Sequence, residues 1–120
     1  MNASDLKTLE ATRDRLIAGM TEYMTEADEP GYTDADIKKC DGILSAFTDN
    51  LQKLGASAAE PAILKCVQQA VLELNALNES VGGGLIETDQ REELCEYILF
   101  AAKQSGLKQD GDLTEEWREW

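Results

Sequence analysis

GGGLIETDQREELCEYIL, residues 82–99, decides the fold, because a flexible break, a helix start and an acidic helical face follow one another there. A glycine inside a helix costs about 1 kcal/mol relative to alanine, so Gly82, Gly83 and Gly84 end whatever helix precedes them. Thr88 then offers a hydroxyl to the amides two or three residues on, with Asp89, Glu92 and Glu93 near the positive end of a new helix. Helix, break, helix is the grammar of this stretch, and the rest of the chain reads in the same terms.

Upstream of the glycines, Ser57 and Glu60 form a capping box and Pro61 occupies the first turn of a third helix. Ile63, Val67, Ala70, Val71, Leu74 and Leu77 make one face of it, widened by Leu64 and Leu72, which predicts the most buried helix of the fold. Asn75 and Asn78 fall near its end and are expected to close the last turn. A second helix starts at Thr33 or Asp34, carries Ile37, Cys40, Leu44, Phe47, Leu51 and Leu54 at steps of three and four, and stops at Gly55. That stripe lasts under three heptads, so it suits packing within one bundle better than a coiled-coil seam between chains. The first helix starts at Asn2 or Ser4 and ends near Asp28, before Glu29 and Pro30. Its stripe is Leu6, Leu9, Leu16, Ile17, Met20, Tyr23 and Met24, interrupted by Arg13, which either snorkels or pairs with Asp14 or Glu10.

Downstream, a fourth helix spans about 89–105 with Leu94, Cys95, Ile98, Ala101 and Ala102 inward, and Gly106 followed by Leu107 reads as its C-cap. The last stretch, KQDGDLTEEWREW, turns at Asp110 and Gly111. Thr114 there caps a short terminal helix carrying Trp117 and Trp120 on a shared face, tying the end down or presenting an anchor to a partner. The expected fold is all-α: an antiparallel four-helix bundle with a short C-terminal helical turn, one domain over residues 1–120.

The chain of 120 residues carries 24 acidic and 11 basic side chains, a net charge of −13, which disfavours nucleic acid and anionic membranes as direct partners. The same charge favours a basic protein, because opposite charges accelerate encounter. No run of about 18 uncharged apolar residues occurs, and MNASDLKTLE lacks the basic start and apolar run of a secretory signal, so the expectation is a cytoplasmic protein. Cys40, Cys66 and Cys95 are odd in number and widely spaced, and histidine is absent, which removes the common zinc patterns and predicts three buried free thiols. In DGDLTEE, a calcium loop centred on Gly111 would place Gly106 and Lys108 at early ligand positions and Trp117 where a bidentate carboxylate belongs, so no metal is expected. Paired carboxylates such as Glu92 with Glu96, or Glu115 with Glu119, stand without a histidine, a nucleophile elbow or a phosphate loop. Neither enzyme activity nor a cofactor is expected.

The combination of LNALNE, GGGLIETDQREELCEYI and DLTEEWREW resembles small acidic bacterial proteins of uncharacterised function, some of which occur as helical immunity-type proteins beside toxins. The likeness covers about the last 50 residues and carries no catalytic residue; it implies a bacterial cytoplasmic binding protein. Two functions fit these observations. One is an inhibitor or immunity protein that neutralises a cationic toxin domain through Glu87, Asp89, Glu92, Glu93 and Glu96, with Trp117 and Trp120 as further anchors, acting as a monomer or weak homodimer. The other is a helical adaptor or self-associating structural protein, for which the stripe of the second helix speaks.

Overall fold

A computed structural model describes residues 1–55 and 58–120, and among them every regular element is helical. The elements are α1 (Ala3–Glu26), α2 (Asp34–Leu54), α3 (Glu60–Ser80) and α4 (Thr88–Gln104). Local chemistry sets their ends. Asn2 accepts from the Asp5 amide at 2.8 Å while Asp5 accepts from the Asn2 amide at 3.0 Å, a reciprocal box that opens α1. Thr33 precedes α2, its amide donating to the Asp36 carboxylate at 2.9 Å, and Gly55 closes the helix at φ +80°. The capping role expected of Ser57 lies outside the described residues; Glu60 instead accepts from the Lys108 amide at 3.0 Å, tying the segment beyond α4 to the start of α3.

The expected Thr88 cap of α4 is corrected: Glu87 is the N-cap, its amide donating to Gln90 Oε1 at 3.2 Å, and Thr88 is the first helical residue. At the far end Gly106 takes φ +117° and the Leu107 amide reaches back to the Ala102 carbonyl at 3.1 Å, burying Leu107. This is the expected glycine C-cap with its apolar contact. The terminal segment makes one turn, with the Arg118 amide donating to the Thr114 carbonyl at 2.8 Å, rather than a short helix.

α1 packs on α2 and α4, and α3 packs on the same two helices, so the four helices form a bundle around one apolar cluster. Leu16, Met20, Ile37, Leu44, Phe47, Ile63, Leu74, Leu94 and Ile98 are at its centre. No helix among the described residues is long and apolar enough to cross a membrane.

Several side chains depart from the periodic reading. Tyr97, absent from the expected stripe of α4, is fully buried; its ring tilts against Phe47 and its hydroxyl lies 2.6 Å from that of Thr48. An amphipathic ring can enter a core when its oxygen finds a partner, which period counting does not register. Conversely Tyr23 is 49% exposed and Leu72 48% exposed, both from positions expected to face inward. Arg13 pairs with neither Glu10 nor Asp14: its Nε lies 3.1 Å from Asp41 of α2. Of the three thiols only Cys40 is fully buried, and burial pushes it up to about 12. Cys66 and Cys95 are only half-buried, which corrects the expectation of three buried thiols.

Candidate functional site

Asn78, on the last turn of α3, positions the break that follows. Its side-chain oxygen accepts from the Leu85 and Ile86 amides at 3.1 and 2.9 Å, and its carbonyl accepts from the Gly83 amide at 2.8 Å. Gly82 and Gly83 adopt φ +74° and +85°, the left-handed conformation that side chains resist, so the chain reverses and buries Leu85 and Ile86. Asn78 therefore closes the end of its own helix through its carbonyl, as expected, and clamps a separate segment with its side chain. Asn75 does the same for the tail, donating to the Trp117 carbonyl at 2.8 Å and accepting from the Glu119 amide at 3.0 Å.

Fixed in this way, the start of α4 faces the end of α1 across a cleft of about 270 Å³. One wall is aromatic. Tyr32 is buried, its hydroxyl donating to the Met20 carbonyl at 3.1 Å, and the Tyr23 ring stacks on it with centroids 6.1 Å apart and planes 18° from parallel. The other wall is Gly84, Leu85 and the opening of α4, where Glu87 and Asp89 are exposed. Burial, then Tyr23, then the Glu87 charge push the Tyr32 phenol above its ordinary range, so the negative field of this wall reaches the rings. Aromatic faces beside carboxylates attract a cation twice over, through the ring quadrupole and through the formal charge. Glu87 and Asp89 also offset the positive end of the α4 dipole, which without them would disfavour a cation here.

The five expected carboxylates do not behave alike. Glu92 and Glu96 are exposed on α4 together with Glu87 and Asp89. Glu93 is a correction: its side chain is 25% exposed and its Oε2 lies 3.6 Å from Arg15 Nε, so it joins α4 to α1 rather than facing water. Trp117 and Trp120 are half-buried and pack against the core. Trp117 lines a different cleft, with Pro61 and Leu64 of α3, and shares none of the lining of the tyrosine cleft. The Arg118 guanidinium lies 5.9 Å from the Trp120 ring centroid and donates to the Trp120 carbonyl at 2.8 Å.

Asp112, from the calcium-like stretch, is engaged by its own segment. It accepts from the Thr114 amide at 2.8 Å and from the Thr114 hydroxyl, and pairs with Arg118 at 3.1 Å. Burial alone would raise its carboxyl, but these hydrogen bonds and the guanidinium charge outweigh that and leave it below its ordinary range. Among the described residues no three His, Cys, Asp or Glu side chains converge as metal ligands.

The tyrosine wall has no signal in the sequence. Tyr23 belongs to a helical stripe and Tyr32 to a polar loop, and only the turn through Pro30 and Gly31 stacks one on the other. No family model matches the chain, and no curated protein or solved structure matches it either.

Proposed function

We propose that this is a non-enzymatic acidic binding protein, an antiparallel helical bundle of one domain that neutralises a cationic protein. The partner that suits it best is a bacterial toxin domain, inhibited in the cytoplasm by an immunity-type protein. The observation that carries the reading is the cleft in which the half-exposed Tyr23 ring, Tyr32, Glu87 and Asp89 converge. A lysine or arginine side chain has the charge and the apolar stem to fill it, and Glu92 and Glu96 extend the negative surface along α4. Tight inhibition needs a central anchor and a complementary charged surround, and both occur on this face.

The test uses the basic protein that co-purifies with the tagged chain at low salt from its native host, its association followed by surface plasmon resonance. Raising salt from about 50 to 500 mM shortens the screening length from over 10 Å to a few ångströms and should slow association at least tenfold. Tyr23→Ala and the pair Glu87→Gln with Asp89→Asn should each weaken binding at least tenfold while the helical circular dichroism is unchanged. An association rate flat in salt, or variants that bind as the parent does, would remove this face from the interface.

A further inference from the structure

The opposite layer of the bundle carries a second surface that the binding of a cation leaves unused. Between α2 and α3 runs an apolar groove of about 500 Å³ floored by Gly42, Ile43, Ala46 and Ala76. It continues past Glu73 and Ala76 into a depression of about 450 Å³ beside Leu72, whose side chain stands 48% exposed. We propose that this face is the interface of a two-fold dimer, occupied by the same face of a second copy of the chain.

Three observations select that occupant. First, the face carries a projecting apolar side chain and an apolar hollow side by side. An isologous interface requires both on one patch, since each copy must supply what the other receives. Second, Gly42 lies in the interior of α2, where glycine is about 1 kcal/mol worse than alanine, yet a Cβ built there meets nothing within 4 Å. Nothing inside the monomer needs that glycine, while a helix laid across the groove would use the close approach it permits.

Third, the charged residues lining the two hollows are Lys39, Lys65 and Glu73, one net positive charge on a chain of −13. Two such chains repel through their excess of acidic side chains, and this face, with two lysines against one glutamate, adds none of that excess. Gln69 lies four residues from Lys65 and four from Glu73. Antiparallel pairing of α3 with its copy about Gln69 therefore sets each lysine level with the glutamate of the second copy. A lone acidic helix would suit the lysines but would leave Glu73 facing like charge.

Sedimentation velocity of the full chain from 1 μM to 1 mM, in 50 and in 500 mM sodium chloride, tests the proposal. A concentration-dependent dimer is expected that tightens at least threefold at the higher salt, because screening relieves the repulsion between two chains of like charge. Leu72→Lys, an exposed position, should weaken the dimer at least tenfold with no loss of helical signal. Gly42→Ala should weaken the dimer while raising the thermal midpoint, which separates the interface from the helix that carries it. A monomer at 1 mM in both salts overturns the proposal, as does a dimer indifferent to Leu72→Lys or one that loosens as salt rises. Because salt acts in the opposite sense on cation binding, failure of either reading leaves the other standing.

Discussion

At the residue scale, buried polar groups fix what apolar periodicity leaves free. The Asn78 side chain satisfies two buried amides at once, and an acceptor removed from a buried donor costs about 1–3 kcal/mol for each donor left unpaired. Asn78→Ala should therefore destabilise the fold by about 2–5 kcal/mol in urea denaturation, the upper part of that range if both amides stay dry. Asn78→Asp retains the acceptor and should recover most of the loss. Equal loss in the two variants would mean that burying a carboxylate at the negative end of α3 costs as much as its two hydrogen bonds return. The Tyr97–Thr48 pair follows the same logic in the core, where Thr48 also donates to the Leu44 carbonyl at 3.1 Å.

At the element scale, caps and breakers are legible while the partners of the elements are not. Gly55, Gly82, Gly83 and Gly106 follow the ends of helices in the structure and take a conformation that other residues resist, while Gly84 does not. The stripes Ile37 to Leu51 and Ile63 to Leu77 are buried as their spacing demands. What the sequence conceals is contact between segments: Asn75 with the tail, Arg13 with Asp41, Tyr23 with Tyr32. Each depends on how separate segments are brought together, and spacing along one helix carries no record of its neighbour.

The tail is the element whose weight is least apparent from its length. Thr114 is 1% exposed, its hydroxyl 3.4 Å from the Cys95 sulfur, and the two indoles are half-buried. If the pair removes on the order of 200 Å² from water, it contributes about 5 kcal/mol as an upper bound at ~25 cal/mol per Å². Truncation before Leu113 should lower the thermal midpoint by about 10 °C or more, read by circular dichroism. A truncated chain that melts with the parent would assign the tryptophans to a partner instead.

At the scale of the whole molecule, charge is spent on surfaces and hardly at all on cohesion. Among the described residues only Asp34, Asp41, Glu93, Asp110 and Asp112 pair with a basic side chain, and the chain holds 24 acidic residues. Self-repulsion of the remainder opposes compaction more than those mostly exposed pairs favour it. The thermal midpoint should rise by several degrees between about 20 and 500 mM sodium chloride. A fall would show that the pairs outweigh the repulsion.

The two asparagines on α3 also impose an order of assembly. Asn78 reaches segments seven and eight residues onward, whereas Asn75 reaches backbone groups 42 and 44 residues onward. Neither side chain can grip anything until α3 is wound and its face is set. The short loop then closes early at small entropic cost, and the tail must wait for α4 to be laid down. Loop length alone thus predicts assembly from the middle outward, with the tail the last segment expected to dock and the first expected to detach.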